Sequence, residues 1–87
     1  MSVATKVRSR YDDKLQTDKR LELVRRFTLA GFEDTTVFES IPYDVVLFLL
    51  PDDDEEFVKH ELRIGAESAK RGDNVYFKHV RTADLPE

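Results

Sequence analysis

The sequence contains no cysteine and no long apolar run. Without cysteine, neither a disulfide framework nor a thiolate metal site can form, and a small domain of this kind suits a reducing compartment. The longest apolar run, Val45 to Leu50, is far short of the roughly 18 residues of a membrane span. The N-terminus also lacks the apolar core of a signal peptide. We therefore expect a cytoplasmic protein that has no membrane segment.

Glycine and histidine are scarce, which limits the chemistry that the chain can support. Its three glycines, Gly31, Gly65 and Gly72, occur singly, so neither a glycine-rich phosphate loop nor a nucleophile elbow is present. His60 lies one helical turn after Glu56, but a metal site needs three or four ligands and no further ones are in reach, and His79 is isolated. We expect both histidines to be solvated or hydrogen-bonded, with pH sensing as the alternative. No cofactor and no metal are predicted.

The length and composition indicate one small folded domain. Eighty-seven residues are too few for two ordinary domains, so we predict a single domain, 1–87, with flexible ends at 1–10 and 81–87. Hydrophobic residues make up 40% of the chain, unlike a disordered sequence. The net charge of −4 argues against unspecific nucleic-acid binding. Because so short a chain buries little surface, association would stabilise it.

The N-terminal half predicts a strand and then a helix. Residues alternate between Val3 and Tyr11, which is typical of a half-buried strand with a basic outer face, although a frayed, charged tail fits the same pattern. Thr17 or Asp18 can cap a helix that runs to Ala30 and stops at Gly31. Its apolar stripe consists of Leu21, Leu23, Val24 and Phe27.

The second half predicts two strands, a helix and a last strand. Thr35 to Ser40 and Tyr43 to Leu50 have strand composition and are separated by Ile41 and Pro42. Asp52-x-x-Glu55 has the spacing of a capping box, so a helix is expected from Asp52 to Arg71, with Gly72 at its end. Asn74 to Val80 predicts the last strand.

This order of elements predicts an α+β fold. A link of about four residues between the second and third strands is too short for a parallel crossover and favours a hairpin. We therefore expect a ferredoxin-like β-α-β-β-α-β sandwich, with two helices on one face of a four-stranded antiparallel sheet. The alternative is a minimal α/β three-layer fold of the flavodoxin kind.

The strand from Tyr43 to Leu50 is apolar on both of its faces. In the ferredoxin-like arrangement one face of this strand looks away from the helices, and a solvated face should carry polar residues. The pattern predicts a cover over that face, most simply a second copy of the chain packed sheet to sheet. The alternative is shielding by neighbouring long side chains.

Five consecutive acidic residues, Asp52, Asp53, Asp54, Glu55 and Glu56, follow this strand. Consecutive carboxylates on a helix do not converge on one point, and the run lacks the spacing and glycine of a calcium loop. Carboxylates do favour the positive end of a helix dipole. We interpret the run as the start of a helix, and its charge would steer a basic protein partner.

The second half of the chain contains four segments that belong together: Asp44 to Pro51, Phe57 to Leu62, Asn74 to Phe77 and Asp84 to Glu87. In this order they resemble the second half of TIR domains. In that family the glutamate of the matching helix is catalytic in enzymes that cleave NAD, so the resemblance implies such a role for Glu61 and a TIR-like version of the three-layer fold. The chain departs from the family in lacking an apolar first strand, a helix between the second and third strands, and a final helix and strand. The residues themselves indicate a helix-surface carboxylate that pairs with an arginine.

The function that these observations favour is a non-enzymatic interaction or regulatory module. It would self-associate or bind a protein partner through the apolar sheet face, represented by Tyr43, Val46 and Phe48, and through the acidic run Asp52 to Glu56. One alternative is the NAD-cleaving enzyme with Glu61 as its key carboxylate. The other is a binder of single-stranded nucleic acid; its basic and aromatic residues would be Lys6, Arg8, Arg10, Tyr76 and Lys78.

Overall fold

The computed structural model describes residues 2–87, with side chains described for residues 14–87. Within residues 2–87, two helices and two strands alternate, and a short 3-10 helix follows α1 and another follows β2. The elements are α1 (Ser2–Glu33), a 3-10 helix (Thr35–Phe38), β1 (Val46–Pro51), α2 (Glu55–Lys70), β2 (Val75–Val80) and a second 3-10 helix (Thr82–Asp84). The protein is therefore a small α+β domain.

The sheet consists of two parallel strands joined by α2. Its register runs from Val46 opposite Val75 to Pro51 opposite Val80. The expected four-stranded antiparallel sheet of a ferredoxin-like fold is wrong. The alternative is not observed either, because this sheet lacks the further parallel strands of a flavodoxin-like or TIR-like fold. The predicted hairpin fails because its first strand, Thr35 to Ser40, is not a strand.

A capped turn replaces that predicted strand. The Asp34 carboxylate accepts hydrogen bonds from the Thr36 backbone N–H at 3.0 Å and from the Thr36 hydroxyl at 2.6 Å. An aspartate that bonds the backbone two residues ahead starts a turn in place of an extended chain. The 3-10 helix Thr35–Phe38 follows. Its Phe38 ring packs edge-on against the Phe27 ring, and the two ring centroids are 5.5 Å apart.

α1 is longer at both ends than the sequence predicts. Residues Val3 to Tyr11, expected as a strand, belong to α1, because no glycine or proline interrupts the chain before Gly31. The basic side chains Lys6, Arg8 and Arg10 lie outside the described side chains. Although α1 is long, none of the helices within residues 2–87 has the length and apolar character needed to cross a membrane.

Gly31 lies inside α1 and does not end it. The helix continues to Glu33, and the missing side chain of Gly31 makes room for the Phe38 ring. A Cβ atom at this position would lie 1.8 Å from Phe38 Cζ. Gly31 therefore lets the Phe38 ring lie directly against α1, whereas Gly72, with φ of +97°, has the left-handed conformation expected just after a helix.

α2 begins two residues later than its capping-box pattern predicts. Its N-cap is Asp54, whose carboxylate accepts from the Phe57 backbone N–H at 3.1 Å. Asp52 instead accepts from the backbone N–H and hydroxyl of Thr82, both at 3.1 Å. Asp52 thus joins the chain segments that follow the two strands.

Helices cover both faces of β1. On one face the Phe48 and Phe77 rings lie 5.6 Å apart and pack toward Gly65 of α2. On the other face Leu49 packs in a buried cluster with Leu23 and Phe27 of α1. The apolar residues on the two faces of β1 are thus explained by packing against α1 and α2 of the same chain. The premise that predicted a second copy packed sheet to sheet is wrong, because α1 occupies that face.

Candidate functional site

An apolar groove of about 490 Å³ lies between α1 and the chain that leads into β1. We call it the apolar groove. It is lined by Val24, Phe27, Thr28, Phe38, Ile41, Pro42, Tyr43, Leu47 and Leu49. The size falls within the range of about 300 to 1,000 Å³ that is common for ligand pockets. The lining is mostly apolar, with Thr28 and the Tyr43 hydroxyl as its polar groups, so the groove suits aliphatic or aromatic groups.

Tyr43 stands at the mouth of the apolar groove with 96% of its surface exposed. The chain turns sharply beside it, because Asp44 adopts φ of +60°. A residue other than glycine rarely adopts this left-handed conformation, although aspartate tolerates it better than most. Val24 and Phe38, which also line the groove, are exposed at 45% and 40%. Three large apolar or aromatic groups thus face water around one concave surface.

The acidic run divides into residues with local roles and residues that face water. Lys19 donates to the Asp54 carboxylate at 2.8 Å, and this bond, followed by that from the Phe57 N–H, holds the pKa of Asp54 below its ordinary value. The Thr82 backbone N–H lowers the pKa of Asp52 in the same way. Asp53, Glu55 and Glu56 are exposed. Asp52 is exposed as well but accepts from Thr82, so these three are the exposed carboxylates of the run that make no described hydrogen bond.

The two predicted contact regions do not lie together. Tyr43 and Val46 are at the amino end of β1, whereas Asp52 to Glu56 follow its carboxyl end. A six-residue strand spans roughly 20 Å. Val46 is 42% exposed, but Phe48, the third predicted sheet-face residue, is buried at 7% against α2. The predicted site thus separates into the apolar groove and a distant acidic surface.

A second pocket, of about 380 Å³, lies at the carboxyl ends of the strands between α1 and the start of α2. Leu23, Pro51 and Phe57 form its apolar part. Its two cations already have partners within the chain: Lys19 bonds Asp54, and Arg26 donates to the carbonyl oxygens of Thr82 and Pro86, each at 3.0 Å. These bonds hold the segment after β2 against α1.

A buried ion pair connects the two helices. Arg20 donates from Nε to Glu61 Oε1 at 2.6 Å and from Nη2 to Oε2 at 2.5 Å. The Glu61 side chain is 1% exposed, and His60 Nδ1 lies 3.1 Å from the same Oε2. Gln16, one helical turn before Arg20, is also buried and its Oε1 has no hydrogen-bond partner. Glu61 is therefore held inside the protein, not on the surface of α2.

The sequence contained a signal for the burial of Glu61. The buried positions of α2 are Phe57, Glu61, Gly65 and Ser68. They are spaced four, four and three residues apart, which places them on one face of a helix. Phe57 and Gly65 lie four residues before and four residues after Glu61. A helix that packs through these two residues therefore also has Glu61 on its packed face. A glutamate there requires a basic partner, which Arg20 supplies.

Among the side chains that it describes, the structure does not bring together residues for a metal site or for the predicted nucleic-acid site. Within the described side chains, residues 14–87, no three histidine or carboxylate groups lie together as a metal site. His79 is exposed on β2. The basic and aromatic residues proposed to share a sheet face do not do so, because Lys6, Arg8 and Arg10 belong to α1 and Lys78 bonds Ser40 at 3.2 Å.

Comparison with known proteins places the chain in a family. The model of a family of unknown function, DUF5647, matches residues 16–84, which is well over half of the chain. The chain belongs to the DUF5647 family. The DUF5647 match includes both partners of the Arg20–Glu61 pair and all residues of the apolar groove. No curated protein and no solved structure is significantly similar to the chain.

Proposed function

We propose that this protein is a non-enzymatic interaction module of the cytoplasm that binds a protein partner through the apolar groove. The observation that carries the proposal is the almost complete exposure of Tyr43 at the mouth of a concave apolar surface. The proposed cytoplasmic location is supported by the lack of cysteine, which suits a reducing compartment.

The chemistry of the apolar groove supports a protein partner. Tyrosine is one of the residues enriched where interfaces concentrate their binding energy, and such residues dock beside apolar pockets that exclude water. Tyr43 has this setting, with Val24 and Phe38 as exposed neighbours. A partner that inserted one apolar side chain into the groove would cover all three groups. Their exposed apolar surface would then be removed from water, which favours association.

The acidic surface supports a second, weaker role in the same interaction. Asp53, Glu55 and Glu56 carry charge at one end of the molecule, roughly 20 Å from Tyr43. At that distance they would speed the approach of a basic partner without touching the bound segment, and salt would screen this effect. We expect the lysine variants Asp53→Lys and Glu56→Lys to slow association and leave dissociation unchanged.

The experiment is site-specific photo-crosslinking in cells. A photoreactive amino acid replaces Tyr43 in one variant and Leu21 in a matched control, because Leu21 is also exposed, at 64%, but does not line the groove. We expect a defined crosslinked protein from position 43 and none of that mass from position 21. The partner is then purified, and Tyr43→Ser should weaken its binding by about tenfold or more, as for an interface hot spot. Equal binding by wild type and Tyr43→Ser would refute the proposal.

The two other functions stay predictions. For the NAD-cleaving enzyme, Glu61 is the key residue, but its carboxylate is 1% exposed and both of its oxygens are bonded to Arg20. For nucleic-acid binding, the N-terminal basic residues lie outside the described side chains. Neither function therefore receives support from the described geometry.

A further inference from the structure

The outer edge of β2 has unpaired backbone groups. The Val46 N–H donates to the Asn74 carbonyl at 2.7 Å, and the Asp52 N–H donates to the Val80 carbonyl at 3.1 Å. In a parallel ladder alternate residues of a strand bond one neighbour and the residues between them point away from it. Tyr76 and Lys78 therefore bond β1. Val75, Phe77 and His79 direct their N–H and C=O groups to the opposite side.

No described part of the chain pairs with this edge. β2 has β1 as its single neighbour in the sheet, and among the described hydrogen bonds none uses the backbone of Val75, Phe77 or His79. A row of unpaired N–H and C=O groups on an edge strand is a template for pairing with another strand. A sheet of only two strands is also unusually small.

The outer edge of β1 is a poorer template. The same hydrogen-bond pattern shows that the N–H and C=O groups of three β1 residues point away from β2. These residues are Leu47, Leu49 and Pro51. Pro51 has no N–H group, so this edge lacks a donor at one of its three positions. Proline on an edge strand is a common means of preventing strand addition. Pairing is thus directed to β2, whose three outward residues all retain their donors.

We propose that β2 is a dimerisation edge, at which β2 of a second copy pairs antiparallel about a two-fold axis at Phe77. Val75 then lies opposite His79 of the second copy, and Phe77 opposite Phe77. At each of these positions, a residue whose N–H and C=O groups point away from β1 lies opposite another such residue. All the free donors and acceptors of both edges are therefore paired. The product is a continuous four-stranded sheet with two parallel pairs and one antiparallel pair at the centre.

The side chains of β2 are complementary in this register. Tyr76 lies opposite Lys78 of the second copy, a cross-strand pair in which the ammonium would leave its exposed bond to Ser40 and meet an aromatic ring. The two Phe77 side chains form an aromatic pair on the other face. Moving the two-fold axis by one residue to Lys78 would place the two Lys78 ammonium groups opposite each other, and like charges in that position are destabilising. The charge pattern therefore favours this register over the one centred on Lys78, and the self-complementary pairing supports a second copy as the occupant.

This dimer is independent of the proposed partner site. No residue of β2 lines the apolar groove. It also differs from face-to-face packing of two sheets, since α1 and α2 cover the faces of β1. The dimer would leave the apolar groove of each copy open, so each copy can bind a partner whether or not it is paired.

The test combines a dilution series with amide exchange of the full chain. Sedimentation equilibrium should show the mass rising from 10.2 kDa toward twice that value as the concentration increases. Over the same range the amides of Val75, Phe77 and His79 should become protected from hydrogen exchange. Those of Tyr76 and Lys78, already bonded to β1, should change little.

His79→Pro and His79→Ala form a matched pair of variants. Both remove an exposed side chain, but only proline removes the outward N–H. By symmetry His79→Pro deletes two hydrogen bonds per dimer, so we expect dimerisation to weaken by about tenfold or more relative to His79→Ala. Circular dichroism of both variants should match that of wild type, which checks that they fold.

Three results would overturn the proposal: a monomer at every concentration, a dimer whose outward amides remain unprotected, or equal dimerisation of the two variants. None of them bears on the partner site, because that proposal is judged by Tyr43→Ser. Binding of the crosslinked partner by His79→Pro should equal that of wild type.

Discussion

Glu61 of α2 and Arg20 of α1 form a two-bond ion pair in which one member is buried far more deeply than the other. The Glu61 side chain is 1% exposed and that of Arg20 is 34% exposed. The hydrogen bond from Arg20 to Glu61 raises the pKa of Arg20 further above its ordinary value, so the guanidinium is charged at every pH at which the protein is studied. Glu61 depends on this charge, whereas Arg20 retains access to water.

Because of this asymmetry, we predict unequal effects when each member is removed. Arg20→Met leaves a carboxylate buried without its counter-charge, so it should lower the free energy of unfolding by about 3 to 5 kcal/mol. Glu61→Leu should cost less, because the released guanidinium can turn toward solvent. Urea denaturation at neutral pH measures both.

The double variant Arg20→Met with Glu61→Leu serves as the control. It removes both charges together, so it should be more stable than Arg20→Met alone. If Glu61→Leu proved as destabilising as Arg20→Met, the exposure of Arg20 would not be the deciding factor.

The same geometry makes a prediction for the NAD-cleaving alternative. With both Glu61 oxygens bonded to Arg20, the carboxylate has no open side for a substrate. We expect purified protein to release no nicotinamide from NAD above the blank at high protein concentration. Release that disappeared in a folded Glu61→Gln variant would contradict this expectation and restore the enzyme hypothesis.

Sequence patterns predicted the secondary structure reliably where the residues of one element determine its conformation. The strand from Asn74 to Val80 and the end of α2 at Gly72 are confirmed as β2 and as a left-handed glycine. α2 starts two residues later than predicted because the Asp52 carboxylate makes a long-range hydrogen bond and does not cap the helix. Asp52 bonds Thr82, which is 30 residues away, and no local pattern contains that contact.

Long-range packing explains the larger errors. Gly31 looks like a helix stop until the Phe38 ring is placed against it. The apolar strand predicts a second copy only if α1 is assigned to the same face as α2. Glu61 lies on the packed face of α2, but its burial is not predicted because Arg20, the partner that neutralises its charge, is 41 positions away. In each case the missing information was which element packs against which.

The Asp54 carboxylate predicts how stability changes with pH. Its pKa is lowered in the folded protein, mainly by Lys19, so Asp54 contributes stability above its unfolded pKa of about 4. That contribution is lost as the pH falls through the lower folded pKa. Asp54→Asn keeps a good N-cap but loses the ion pair. The stability difference between wild type and Asp54→Asn should therefore be largest at neutral pH and shrink below about pH 4.

Denaturation between pH 2 and pH 7 checks this prediction, with Asp53→Asn as the control. Asp53 is exposed and next to Asp54 in sequence, but it makes no described bond to Lys19. If Asp53→Asn changed the pH dependence as much as Asp54→Asn, the effect would come from net charge and not from the Lys19 contact.

Gly65 should not tolerate even one methyl group. A Cβ atom there would lie 2.4 Å from Phe77 Cζ and 2.5 Å from Phe77 Cε1, so the ring must move. Alanine favours a helix by about 1 kcal/mol over glycine, yet overpacking of this kind costs about 1 to 3 kcal/mol. We expect Gly65→Ala to be net destabilising in thermal or urea denaturation. Phe77→Leu shortens the opposing side chain, so the combined variant should recover part of the loss. If the two changes were simply additive, α2 and β2 would not meet through this contact.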